Sequence, residues 1–188
     1  AFLAGAWRSA PIRHGLSKLA HLHFTTNAPA AARLLQMGED PRHVHVVGST
    51  SIDAIRQLQL LGRDELAGAL GVTFHARNLL VTFHPVTLDL LPSELQLRRL
   101  LEALDGLGPE VGIVFTGANA DPEGQHLNAR VRSFVADRPN TCFHASLGQQ
   151  RYLSLLAQMD ALVGNSSSGL YDAPALGVPT LNVGDRQA

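Results

Sequence analysis

Three consecutive serines, Ser166, Ser167 and Ser168, follow an apolar segment and precede a predicted helix, in the sequence GNSSSG. The first N–H groups of a helix have no partner inside the helix and carry partial positive charge. Serine hydroxyls and the bare backbone of Gly169 let an anion approach such groups closely. The segment therefore predicts a phosphate-binding site; the structural alternative is that one serine caps the helix and the others are solvated.

Two further side chains near this segment suit a bound nucleotide. One helix start contributes only about 0.3–1 kcal/mol per charge, and about 2 kcal/mol when partly buried, so other groups must contribute. Arg186 can supply a forked donor to the same diphosphate. Asp172, expected about one turn into the helix, can accept from ribose hydroxyls, as carboxylates beside bound nucleotides do.

His84 is the histidine best placed for chemistry, because it lies at the end of a predicted strand and precedes Pro85. A histidine changes charge near neutral pH, so it can donate to a leaving phosphate; the alternative is a structural histidine. The histidines at 21, 23, 43 and 45 alternate in strands, which favours strand rims or solvent. None of the nine histidines has metal-ligand spacing, and there is no Walker A, GxGxxG or GxSxG motif, so we predict no metal and no cofactor.

Composition excludes several partners. The 188 residues include 15 basic and 16 acidic side chains, a net charge of −1, so neither nucleic acid nor an anionic membrane is indicated. No apolar run approaches the roughly 18 residues of a membrane-spanning helix. The single cysteine, Cys142, cannot form an intrachain disulfide and is interpreted as a small apolar strand residue, which fits a cytoplasmic protein.

Short apolar segments alternate with amphipathic ones along the whole chain. The predicted strands are 21–26, 44–49, 79–84, 112–117, 141–146, 161–166 and 180–184. The predicted helices are 28–37, 51–61, 93–104, 124–136, 147–158 and 167–176. Apolar strands separated by helices indicate an α/β fold, a Rossmann-like parallel sheet flanked by helices. Ligands bind at the carboxyl ends of such strands, and there the polar residues converge.

Several segments resemble the UDP-N-acetylglucosamine 2-epimerase family, most closely its hydrolysing type. They are IRHGLSKLAHLHF (12–24), VGS with SIDAI (47–55), LVTFHPVT (80–87), ANAD (118–121), SLGQQRYLSLL (146–156) and GNSSSGLYDAPALGVPTLNVGDRQ (164–187). The likeness covers about residues 12 to 187, and its last block is the specific one. It implies the C-terminal, UDP-binding lobe of a two-lobed glycosyltransferase-B-type fold, with residues 1–11 a divergent or truncated segment and 12–188 the UDP-binding domain.

The resemblance also implies a reaction and site residues. UDP is eliminated from UDP-GlcNAc and water adds to the intermediate, giving N-acetylmannosamine and UDP for amino-sugar or sialic acid synthesis. By position, His84 would assist the leaving group and Asn119 and Arg186 would support nucleotide or phosphate binding. Ser166 and Ser167 would bind the diphosphate, and Asp172 would face the ribose. The complete enzyme is expected to be a homo-oligomer.

Two departures from the family pattern affect these expectations. Asp172 stands where the family usually has glutamate, one methylene longer. The acidic residues that normally precede the IRH motif are absent, because the chain reads GAWRSAP there. Without a base to remove a sugar proton, we expect this chain alone to bind UDP but not to turn over substrate. The alternatives are a glycosyltransferase-B-type sugar transferase lobe and a non-catalytic UDP-binding remnant.

Overall fold

The computed structural model describes residues 6–86, 91–118 and 122–186, with the side chains of residues 6–11 left out. The helices are α1 Ala6–Leu19, α2 Ala28–Gln36, α3 Thr50–Gln57, α4 Arg63–Leu70, α5 Ser93–Asp105, α6 Pro122–Ala136, α7 Gly148–Leu156 and α8 Asp172–Ala175. The strands are β1 His23–Thr25, β2 Val44–Val46, β3 Arg77–Thr82, β4 Val111–Thr116, β5 Thr141–His144, β6 Ala161–Gly164 and β7 Thr180–Asn182. Short 3₁₀ turns occupy Pro41–His43 and Ser167–Gly169.

The main sheet has five parallel strands in the order β5-β4-β3-β6-β7. The chain starts in the middle at β3, runs outward to β5 and then returns to the other side of β3 with β6. Loops leaving β3 and β6 therefore diverge in opposite directions and leave a crevice at the carboxyl ends of these two strands. This arrangement confirms the predicted fold class and puts the expected ligand position beside the loops after Thr82 and Gly164.

The first two strands form a separate sheet. β1 and β2 pair in parallel, with His23 opposite Val44, and α2 packs on them. The sequence pattern grouped these strands with the other five, because all seven are short, β-prone segments separated by helices. His23, expected at a strand rim or in solvent, is buried instead, and its Nε2 lies 3.3 Å from Glu39 Oε2.

Two apolar layers cover the faces of the five-stranded sheet. Successive strand residues point to opposite faces, so Leu80 packs with α4, α7 and α8 while Val81 packs with α5 and α6. The predicted stripe on α5 is buried against the second face at Leu97, Leu100 and Leu104. Both faces are thus apolar, which is why the strands read as continuous hydrophobic segments.

Three helical segments differ from the sequence prediction. The helix predicted over 167–176 is divided into the turn Ser167–Gly169 and the short α8. Pro174 gives the reason, because proline fits the first turn of a helix but clashes with the carbonyl four residues earlier in its interior. Asp172 therefore begins α8. The helices α1 and α4 were not predicted; in α4 only Leu66 is buried, so its apolar periodicity is weak.

Candidate functional site

A cavity of about 410 Å³ lies at the carboxyl ends of the main sheet. Its volume is within the range typical of small-molecule sites. The loops after β3, β4, β5 and β6 and the first part of α7 form its walls. The lining residues are Thr82, His84, Thr116, Gly117, Ala145, Ser146, Leu147, Gly148, Gln149, Tyr152, Ser166, Ser167, Ser168 and Asp172.

The serine turn presents hydrogen-bond donors to this cavity. Ser166 caps the 3₁₀ turn, since its hydroxyl accepts from the Ser168 N–H at 3.3 Å and its carbonyl accepts from the Gly169 N–H at 3.1 Å. Within the described parts of the chain, the backbone N–H groups of Ser166 and Ser167 have no acceptor. Two such amides beside two hydroxyls can hold an anionic oxygen. The donors come from a 3₁₀ turn rather than from the longer helix that was predicted.

Asn165 holds the loop of His84 next to the serine turn. Its side chain is fully buried and makes two hydrogen bonds to one residue, accepting from the His84 N–H at 2.7 Å and donating to the His84 carbonyl at 2.8 Å. The Val86 N–H donates to the Ser93 hydroxyl at 3.0 Å, which fixes the far side of the same loop. His84 is therefore held at the cavity by contacts on its own backbone.

Asp172 lines the cavity, and its carboxylate is hydrogen-bonded to neighbouring side-chain hydroxyls. The Ser168 hydroxyl donates to Asp172 Oδ2 at 2.6 Å, and the Tyr152 hydroxyl is 2.8 Å from the Ser168 hydroxyl. Thr82 and Thr116 lie opposite each other on β3 and β4, with their hydroxyls 2.5 Å apart. Burial is the main cause that raises the pKa of Tyr152, with the charge of Asp172 adding to it, so the phenol stays protonated near neutral pH.

Arg186 lies beside the serine turn, outside the described lining of the cavity. Its Nη1 donates to the Asn165 carbonyl at 2.8 Å, one residue before Ser166. Burial lowers the pKa of the guanidinium, but an arginine remains protonated near neutral pH. A positive charge with further N–H donors therefore stands next to the two free amides.

The structure brings five of the six predicted site residues to one region: His84, Ser166, Ser167, Asp172 and Arg186. Asn119 lies outside the described residues. Sequence reasoning missed Tyr152, Thr82 and Thr116 as members of the site, and it did not predict that Ser168 of the serine segment contacts Asp172. The four-residue spacing from Ser168 to Asp172 was a local signal, whereas the threonines come from separate strands and had none.

Three other features of the described residues concern metal binding, membrane insertion and cysteine chemistry. No group of three or more His, Cys, Asp or Glu side chains lies close enough to hold a metal ion there. Among the same residues, no helix is both long enough and apolar enough to cross a bilayer. Cys142 is a free, half-buried thiol on β5, as its sequence context predicted.

Comparison with known proteins identifies a family. The model of the UDP-N-acetylglucosamine 2-epimerase family matches residues 8–188. The chain is 36% identical over 177 residues to the GDP/UDP-N,N′-diacetylbacillosamine 2-epimerase (hydrolyzing) of Campylobacter jejuni, covering 94% of this chain and 46% of that protein. It is 30% identical over 177 residues to the UDP-N-acetylglucosamine 2-epimerase of Neisseria meningitidis, with the same coverage. The chain thus spans about half the length of these relatives.

Solved structures share the fold. The UDP-GlcNAc 2-epimerase of Neisseria meningitidis bound to UDP-GlcNAc matches 97% of this chain and 50% of its own chain, with a TM-score of 0.77 at 18% identity. The enzyme of Methanocaldococcus jannaschii in complex with UDP-GlcNAc and UDP matches 88% and 46%, with a TM-score of 0.65 at 17% identity. With a family model covering almost all of its length, the chain belongs to the UDP-N-acetylglucosamine 2-epimerase family.

Proposed function

We propose that this chain is the nucleotide-binding lobe of a hydrolysing UDP-N-acetylglucosamine 2-epimerase and binds UDP in the 410 Å³ cavity. The observation that carries the proposal is the pair of free amides at Ser166 and Ser167, which stand with their hydroxyls at the crevice between β3 and β6. Donors at this position of an open parallel sheet are suited to a diphosphate. Family membership supports the same ligand.

Each polar group then has a role in binding UDP. The diphosphate lies against Ser166 and Ser167, and Arg186 adds a positive charge that offsets its negative charge. Asp172 accepts from ribose hydroxyls, in place of the longer glutamate common in the family. Asn119 supports the nucleotide or the phosphates.

His84 is the proposed acid. It is half-buried at the cavity wall and fixed through its backbone by Asn165, so its ring can stand near the β-phosphate and protonate the departing UDP. Water then adds to the sugar intermediate and gives the 2-epimer. The carboxylates expected before Ile12 are replaced by Arg8, Ser9, Ala10 and Pro11. These 188 residues are therefore inferred to bind UDP without turning over the sugar nucleotide by themselves.

Two nucleotide sugars are candidates for the substrate of the complete enzyme. UDP-GlcNAc follows from the family, and UDP-N,N′-diacetylbacillosamine follows from the relatives in Campylobacter jejuni and Legionella pneumophila, whose names specify that sugar. The two sugars differ away from the nucleotide, so the UDP site described above serves both. The complete enzyme is inferred to act in the cytoplasm in amino-sugar or sialic acid synthesis and to be a homo-oligomer.

Calorimetry with UDP tests the binding proposal on the chain itself. The double variant S166A/S167A should bind UDP about tenfold or more weakly, because two charge-assisted hydrogen bonds are lost. Ser133→Ala, an exposed hydroxyl deletion on α6, is the matched control and should bind UDP like the wild type. Equal UDP affinity in the double variant and the wild type would overturn the assignment of the diphosphate.

Activity tests the role of His84 and the class of reaction. In an active enzyme that contains this region, His84→Ala should lower kcat about a hundredfold or more while changing UDP affinity little. Unchanged turnover would remove His84 from the mechanism. Release of UDP and a free 2-epimer without any acceptor distinguishes an epimerase from a sugar transferase.

A further inference from the structure

We propose that the hydroxyls of Tyr152 and Ser168 position the Asp172 carboxylate, so that it accepts hydrogen bonds from the ribose of a bound nucleotide. The inference rests on the proposed function, because it places a uridine nucleotide in the cavity. Tyr152 and Ser168 act here as positioning residues.

The donors are fixed by elimination, starting at the carboxylate. An ionised carboxylate only accepts, so the Ser168 hydroxyl must donate to Asp172 Oδ2 across their 2.6 Å separation. A serine hydroxyl has one hydrogen, and that hydrogen is now used. Tyr152 must therefore donate to Ser168 Oγ across 2.8 Å.

Two hydroxyls thus donate in one direction, from Tyr152 on α7 through Ser168 of the serine turn to the carboxylate. Hydrogen bonds aligned in this way polarise and strengthen one another.

This hydroxyl chain, Tyr152–Ser168, has a direct consequence for Asp172. It occupies Oδ2 alone, and the structure gives Oδ1 no partner among the described residues. Asp172 begins a helix of only four residues, so the hydroxyl chain, not the helix, fixes the orientation of its side chain. Oδ1 remains the acceptor at the cavity wall, and the two adjacent hydroxyls of a ribose are suitable donors.

Nucleotide affinity with and without the ribose hydroxyls tests the proposal. Calorimetry would compare UDP with 2′,3′-dideoxy-UDP on the wild type, Tyr152→Phe and Tyr171→Phe. The wild type should prefer UDP about tenfold or more, the usual worth of a hydrogen bond to a charged group. Tyr152→Phe should reduce that preference at least about threefold and leave dideoxy-UDP affinity unchanged. Tyr171→Phe removes a neighbouring, more exposed hydroxyl and should keep the wild-type preference.

Other results of these titrations would overturn either the positioning role of Tyr152 or the proposed function. If Tyr152→Phe keeps the full preference for UDP, or weakens both nucleotides equally, Tyr152 does not position Asp172 and the inference is overturned while UDP binding stands. If the wild type binds neither nucleotide, the proposed function itself fails, and the ribose assignment fails with it. Ser168→Ala removes the last hydroxyl of the chain and must lower the preference in the same direction as Tyr152→Phe.

Discussion

Asn165 is a fully buried residue whose side chain fixes the position of the His84 loop at the site. Both of its amide groups are used by the backbone of His84 in a fully buried position. Asn165→Asp keeps the acceptor but replaces the donor with a second carboxylate oxygen facing the His84 carbonyl. We expect a loss of about 2–4 kcal/mol in the free energy of unfolding, because a buried charge is left without compensation.

Denaturant unfolding measures this loss, and Asn182→Asp is the matched control. Asn182 makes one exposed hydrogen bond, from its Nδ2 to the Gly184 carbonyl at 2.8 Å. The control should change stability by less than about 1 kcal/mol, as exposed sites do. Equal effects of the two substitutions would show that Asn165 does not stabilise the His84 loop in the manner inferred.

Cys142 provides a prediction that depends on pH. Burial raises the pKa of its thiol from 9.0 to about 11. Since only the thiolate reacts, alkylation by iodoacetamide at pH 8 should be about a hundredfold slower in the folded protein than in the unfolded one. The folded-state rate should keep rising with pH up to about 11. Mass spectrometry of the alkylated fraction measures both rates, and equal rates would contradict the burial of this thiol.

The residues of the site were predictable only where local sequence carried their role. Ser166 ends a predicted strand and Ser167 and Asp172 follow it within a few positions, so their shared location could be inferred from the rule for parallel sheets. Tyr152 could not be assigned, because its partner Ser168 meets it through tertiary packing. Arg186 was predicted beside the serines, yet its hydrogen bond to the Asn165 carbonyl depends on how the chain turns after β7.

Among the elements, the turn out of β6 depends on a glycine. Gly164 has a φ of 140°, and an added Cβ would overlap the carbonyl of Thr82 on the neighbouring strand. Gly164→Ala should therefore destabilise the fold by about 3 kcal/mol or more, since both backbone strain and a steric clash oppose it. The same change should also move the serine turn and weaken UDP binding.

Gly68→Ala is the control for this substitution. Gly68 lies inside α4, and an added Cβ there meets nothing within 4 Å. Alanine is the better helix former, so this variant should gain about 0.5–1 kcal/mol. Thermal unfolding distinguishes the two variants by the sign of the change. A neutral Gly164→Ala would show that β3 and β6 are not held as closely as the structure indicates.

Element type was predicted well where apolar periodicity was strong, as in β3, β4 and α5. It failed for α4, whose burial rests mainly on Leu66 and whose capping contact is the Gly62 N–H donating to Glu65 Oε2 at 2.9 Å. The sequence pattern did not predict which strands pair with one another. The short apolar segments of β1 and β2 resemble those of the main sheet, and only tertiary structure determines that they pair with each other.

At the scale of the whole molecule, the two sheets differ in how they are protected from water. β3 has strands on both sides and apolar layers on both faces. β1 and β2 have three residues each, and Phe24 and Val46 are 65% and 55% exposed. A sheet of two short strands is marginally stable in water, and stability is distributed unevenly in a folded chain.

Hydrogen exchange should therefore separate the two sheets. Amides of β1 and β2 should exchange on the order of a hundredfold or more faster than those of β3 and β4 at the same pH, because local opening exposes few buried contacts. Mass spectrometry of peptides covering 20–48 and 77–116 measures the two rates. UDP should slow exchange further around the serine turn but leave 20–48 unchanged, since no residue of that segment lines the described cavity. Equal protection of the two sheets would mean that they open together as one cooperative unit, and the two-stranded sheet would then owe its stability to the five-stranded one.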